Sequence, residues 1–174
     1  MKKYLFPIIT IIICFAVVGT TFAWLMDSTD PIVNTFTIGK VDITLAETTG
    51  NQYKMIPGST IAKDPKVTVE AGSEACWVFV KLEKINNFDS YMTYDMAEGW
   101  TPLDGANGVY YRAVDADTAN EGAEFGVLKD NQVTVKETVT KDVTDTPKLT
   151  FTAYAIQSEN FADVVKAWNA FPNT

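Results

Sequence analysis

Histidine is absent from this 174-residue chain. That excludes the Ser-His-Asp and Cys-His nucleophile arrangements, the HExxH zinc helix and any imidazole proton shuttle. Positive charge is scarce: 14 Lys+Arg stand against 22 Asp+Glu, a net charge of −8. Binding to nucleic acid phosphates needs clustered cations, so that class is excluded as well. With only two cysteines there is no disulfide framework. What is present is 47 % hydrophobic residues with seven prolines, which argues against a disordered chain. The length suits one domain.

Charge is missing altogether from Tyr4 to Met26, just after Lys2 and Lys3. The core of that stretch, Leu5 to Val18, is almost wholly Ile, Val, Phe and Ala. Small residues Thr21 and Ala23 then occupy positions −3 and −1 of a cut before Trp24. A basic start, an apolar core and a small-x-small site are the parts of a secretory signal peptide, here residues 1–23. The rival reading is an uncleaved anchor, since about 20 apolar residues span a bilayer. The placement of the small residues, with Asp27 and Asp30 just beyond, favours cleavage. Removal of Lys2, Lys3 and Cys14 leaves 12 basic residues against 22 acidic ones, net −10. Cys14 is no lipoprotein acceptor, because Ile11-Ile12-Ile13 lacks the required small residues. Cys76, alone beside Trp77, reads as a small buried hydrophobe rather than a reactive thiol. A domain of this size buries about 70 % of its unfolded surface without staples.

The remaining chain reads as strands. Asn34 to Glu47 changes apolar parity at Gly39-Lys40, which predicts two strand segments with a break. Thr48 to Ser59 is a loop. Strands are expected over Pro65–Val69, Cys76–Ile85, Phe88–Trp100, Gly108–Val114, Phe125–Leu128, Gln132–Val139 and Leu149–Gln157, with Asp115 to Gly122 an acidic loop. Cys76–Ile85, apolar on both faces at its start, reads as a central strand. Phe161, Val164, Val165 and Trp168 stand at i, i+3, i+4 and i+7. That spacing predicts an amphipathic helix from about Asn160 to Ala170, with Ser158 or Asn160 as N-cap. The expected fold is all-β: a jelly-roll-like β-sandwich of about eight strands over residues 36–174, with a short C-terminal helix and a preceding signal helix. No sortase-type signal precedes Thr174, so no covalent anchor is expected after cleavage.

Three stretches carry a family resemblance. Gly19-Thr20-Thr21-Phe22-Ala23-Trp24-Leu25-Met26-Asp27, with Asn34 to Leu45, resembles the amino terminus of the TasA and camelysin family of Gram-positive exported proteins. Ile56-Pro57-Gly58-Ser59, Lys66–Val69 and Cys76–Glu83 resemble the family's proline-glycine turn and following strands. Leu149–Gln157 with Ala167-Trp168 is similar to the ending of many small SipW-dependent proteins of anaerobic Gram-positives. The resemblance implies processing by a SipW-type signal peptidase and a jelly-roll subunit of biofilm-matrix fibres. In such fibres an amino-terminal strand completes a sheet of the neighbouring subunit. Camelysin has been described as a metallopeptidase, but this chain has neither histidine nor HExxH. Zinc prefers nitrogen and sulfur ligands, so that activity does not carry over.

A cut before Trp24 leaves Trp24, Leu25 and Met26 at the new terminus, with Ile32 and Val33 further along. Burying each large apolar side chain is favourable by about 1.5–3 kcal/mol, so they should dock. Residues 24–35 are therefore the candidate donor strand for a neighbouring subunit, with docking on the same domain as the simpler alternative. Two other features have plain readings. Asp115, Asp117, Asn120, Glu121 and Glu124 could offer oxygens to calcium, but the EF-hand spacing fails at Ala119, and a solvated loop is expected. Tyr91, Tyr94, Trp100, Tyr110 and Tyr111 could form a sugar platform, but core packing is the simpler role, and alternation sends Tyr110 and Tyr111 to opposite faces. The expectation is a secreted, self-associating or fibre-associated structural subunit, not an enzyme. It has no catalytic or metal residues, no cofactor, no nucleic acid partner and no membrane contact beyond an uncleaved signal. A monomeric cell-surface binding module for glycan or protein is the alternative; a peptidase ranks last.

Overall fold

The computed structural model describes residues 39–50, 52–140, 146–159 and 161–172. The signal segment, its cleavage residues Thr21, Ala23 and Trp24, and the assembly candidates Trp24, Leu25, Met26, Ile32 and Val33 lie outside the described residues. So does the first of the two strand segments expected before Glu47. Among the described residues no helix is long and apolar enough to cross a membrane.

The described chain is mostly strand: β1 Ile43–Ala46, β2 Thr60–Ala62, β3 Lys66–Val69, β4 Cys76–Ile85, β5 Met92–Thr93, β6 Thr101–Pro102, β7 Val109–Val114, β8 Ala123–Gly126, β9 Gln132–Val135 and β10 Lys148–Gln157. All pairings are antiparallel, in three sheets ordered β1-β3-β8, β10-β4-β7-β6 and β2-β9-β5. β4, one of two ten-residue strands, organises the core because its first half is apolar on both faces. Its Cys76, Val78, Val80 and Leu82 meet Val67 and Val69 of β3 and Val133 and Val135 of β9 in one buried cluster. That cluster makes the architecture sandwich-like. On the opposite face Phe79 joins Leu103, Val109, Ala167 and Trp168 in a second cluster. Each fully buried large side chain there contributes about 1.5–3 kcal/mol.

Several local expectations need correction. Phe88–Trp100 is not one strand. Asn86 and Asn87 both adopt left-handed φ, 57° and 54°, which Asn tolerates, and they turn the chain off β4. A helical turn, Phe88–Tyr91, follows and buries Phe88; then come β5 and a single bridge, Met96 to Leu128. The acidic loop is a helix, Ala116–Glu121. Asp115 caps it by accepting the Thr118 N–H at 2.8 Å, Gly122 closes it at φ 85°, and Ala119 is fully buried. That is the usual Asp-to-Gly bracketing of a helix, hidden by the acidity of the stretch. The last helix is shorter than its periodicity suggests, Val164–Trp168, and Asp163 is its cap rather than Ser158 or Asn160. Ala167 and Trp168 are buried, while Val165 is exposed. β9 stops at Val135, and the three-residue β2 carries too short a pattern to read.

Candidate functional site

The two lateral edges of the sandwich differ. At one of them β10 pairs with β4 through all ten residues, from Lys148↔Ile85 to Gln157↔Cys76. Directly beyond it the Ser158 N–H donates to the Ala75 carbonyl at 2.9 Å, and on the far side of β4 the Leu82 N–H donates to the Gly108 carbonyl at 2.8 Å. Backbone groups alternate in direction along a strand, so even-numbered residues of β10 are spent on β4. The N–H and C=O groups of Leu149, Phe151, Ala153, Ala155 and Gln157 therefore point outward. Among the described residues β4 is the only strand paired with β10. Natural edge strands are usually short, charged, bulged or interrupted by proline. Between its ends β10 has none of these guards: Leu-Thr-Phe-Thr-Ala-Tyr-Ala-Ile.

A groove of about 1000 Å³ runs beside the first half of this edge. Leu149 and Phe151 of β10, Leu45 of β1, Ile61 of β2, Met92 of β5 and Val133 of β9 line it. Val41 and Ile43 pack on the core, yet Leu45, on the same side of the chain, is 38 % exposed. Leu45 thus continues the apolar side of β1 out of the core and onto the rim of the groove.

One wall of the groove is the segment after β1, and a polar cluster fixes it. Lys63 Nζ binds both Glu47 carboxylate oxygens, at 2.7 and 2.8 Å, with only 13 % and 24 % of the two side chains exposed. The same ammonium lies 5.4 Å from the ring centres of Tyr53 and Phe151. Tyr53 donates its hydroxyl to Glu47 at 3.0 Å, and burial raises its pKa. Asp64 accepts the Thr48 hydroxyl at 2.6 Å and the Thr48 and Thr49 N–H groups at 3.0 and 2.9 Å. These bonds, the Thr48 hydroxyl foremost, hold its carboxyl well below the usual carboxylate range.

The other edge of the β10 sheet is the two-residue β6. Just before it the Trp100 indole N–H donates to the Gly126 carbonyl of β8 at 2.8 Å, and the Arg112 guanidinium carbon lies 3.9 Å from the ring centre of Phe125 and 5.3 Å from that of Trp100.

The remaining candidates fall where side-chain alternation and capping put them. Tyr110 packs against the main core and Tyr111 joins the second cluster, 5.8 Å from Trp77. Trp100 is buried, and Tyr91 and Tyr94 pack on the main core, so the five aromatics form no common platform. Tyr94 and Tyr110 do line one polar cavity of about 670 Å³ with Lys84 and Asp89, but Lys84 Nζ covers the Tyr94 ring at 5.3 Å. Asp115 is used as a helix cap, and Glu124 pairs with Lys66 at 2.7 Å. Among the described residues no three His, Cys, Asp or Glu side chains converge. Cys76 is fully buried and unpaired, and burial pushes its thiol up to about 11.

Sequence reasoning missed the Lys63–Glu47–Tyr53 cluster, because its members are spaced by long-range pairing and carry no local pattern. It found β10 but not that, among the described residues, β10 ends its sheet. Comparison with protein families, with curated proteins and with solved structures finds no match for this chain.

Proposed function

We propose that the protein is a secreted structural subunit of an extracellular matrix or surface fibre, in which residues 24–35 of one subunit add as a strand to the next. The observation that carries this reading is that, among the described residues, β10 is hydrogen-bonded to β4 alone, with an apolar groove between it and the nearby β1. Strand addition needs both features: a row of main-chain groups for affinity and pockets for alternate side chains. The dimensions agree. Twelve extended residues span about 40 Å and ten residues of β10 about 33 Å. The donor segment supplies Trp24, Leu25, Met26, Ile32 and Val33 for the groove.

The donor segment and the β10 edge are unlike surfaces, so their pairing is one-sided. A one-sided contact between unlike surfaces repeats head to tail and yields a filament rather than a closed pair. Within this reading residues 1–23 are an export signal removed by a SipW-type peptidase, the domain is a jelly-roll-like sandwich related to TasA, and its partners are further copies or related subunits. The test is electron microscopy of the purified chain from Trp24 onward, with and without residues 24–35. Filaments should form only when the segment is present. Equal filament formation by both would sink the donor-strand idea.

A further inference from the structure

Glu47, Gln52, Tyr53 and Met55 line the groove from a segment, residues 47–55, whose described residues contain no strand or helix. Internal bonds tie this segment into one unit. The Thr49 hydroxyl donates to Glu47 at 3.1 Å, and the Tyr53 hydroxyl reaches both Glu47 and the Gly50 carbonyl. Among the described residues, every side-chain hydrogen bond from the segment to another part of the fold ends on Lys63 or Asp64. One dipeptide therefore holds the whole wall.

That dipeptide stands on a fixed base. The Lys63 N–H donates to the Asn131 carbonyl at 2.7 Å, and the Val127 N–H donates to the carbonyl of fully buried Pro65 at 2.9 Å. From this base the Lys63 side chain reaches both sides of the groove. Its ammonium is bonded to Glu47 and lies 5.4 Å from the Tyr53 ring centre on one wall and 5.4 Å from that of Phe151, in β10, on the other. The side chain is only 13 % exposed. Removing one partner of a largely buried ion pair leaves the other uncompensated, so the attachments made by Lys63 are lost together.

We propose that Lys63 is the positioning residue of the β10 groove. It holds residues 47–55 against β10, so that the groove already exists in the separate subunit and an arriving strand does not have to build it. Preorganisation of this kind strengthens binding by removing an ordering cost, without a contact to the ligand. The role of Lys63 in assembly rests on the fibre reading; its hold on the segment does not.

The test uses the chain from Trp24 onward and two readings. Exchange of the Thr48 and Thr49 amides in dilute solution reports on the segment, because both are bonded to Asp64 and neither to Lys63. Sedimentation velocity across a concentration series reports on assembly. Lys63→Met keeps an apolar stem and loses the charge; it should speed exchange of both amides about tenfold, leave the β4 amides unchanged and raise the concentration of half-association about tenfold. Glu47→Gln, which leaves the lysine in place, should act in the same direction on both readings. Lys63→Arg, able to pair with Glu47 and to lie over both rings, should restore both. Unchanged Thr48 and Thr49 exchange in Lys63→Met would overturn the hold on the segment. Faster exchange with unchanged assembly would overturn the positioning role alone. A wild-type chain that does not assemble at any concentration would overturn that role and the fibre reading together.

Discussion

Replacing Ala153 and Thr152 by proline, one at a time, tests the β10 edge and its register together. Thr152 pairs with Lys81, and its N–H belongs to the ladder shared with β4; Ala153 pairs with Val80, and its N–H points away from the sheet. Proline has no N–H and is tolerated on an edge strand where that group faces solvent. Ala153→Pro should therefore change subunit stability by no more than about 1 kcal/mol. Thr152→Pro breaks a ladder bond and strands its acceptor, a cost of about 2–3 kcal/mol. For a domain of this size that lowers Tm by roughly 4–12 °C. Assembly should respond in the opposite sense. Ala153→Pro removes one outward donor and holds an incoming strand off its neighbours, so two or three pairings at about 1 kcal/mol each are lost. Association should weaken roughly 30- to 150-fold. Circular dichroism melts read the first quantity and sedimentation velocity across a concentration series the second. Equal Tm losses in the two variants would refute the register. Ala153→Pro assembling like the wild type would refute use of this edge.

Three further outcomes follow from the geometry. Asp64→Ala should lower Tm at pH 7. The folded pKa lies below the unfolded one, so the stabilisation is full above the ordinary carboxylate range and fades as pH falls below it; the gap between variant and wild type should narrow in melts taken from about pH 4 downward. Cys76, buried with its thiol pushed up to about 11, should resist iodoacetamide at pH 8 in the native protein and react once the chain is unfolded, as read by mass spectrometry. Gly108→Ala forces a left-handed residue, φ 75°, and sets a Cβ 2.6 Å from the Leu82 carbonyl oxygen. It should cost about 1–3 kcal/mol by urea denaturation, whereas Gly105→Ala, with open space around it, should show only the φ penalty of about 1–2 kcal/mol.

Where the fold was legible in the sequence, side-chain burial and local pattern agreed. β4 runs from Cys76 to Ile85 as expected, apolar on both faces while both are covered and alternating with charge where its end emerges to solvent. Tyr110 and Tyr111 diverge because the strand repeat is two. Legibility failed where one local signal masked another. The acids of Asp115 to Glu121 read as a solvated loop, although Asp115 and Gly122 bracket a helix around buried Ala119. The aromatics after Asn87 read as a strand because their spacing fits either period, and paired left-handed asparagines decide the matter. The candidate site was legible only in its parts. The sequence of β10 announces a strand, but whether a strand has one neighbour or two is a property of the whole sheet. Nor can Leu45 be placed on the groove until the positions of β2, β9 and β10 are known.

Backbone amide exchange along β10 tests the central claim most directly. In the unassembled chain the odd-numbered amides, Leu149, Phe151, Ala153, Ala155 and Gln157, should exchange fast and their even-numbered neighbours slowly. Addition of a peptide spanning residues 24–35, or assembly of the chain itself, should then protect the odd set selectively. An odd set that exchanges equally fast before and after would contradict strand addition at β10.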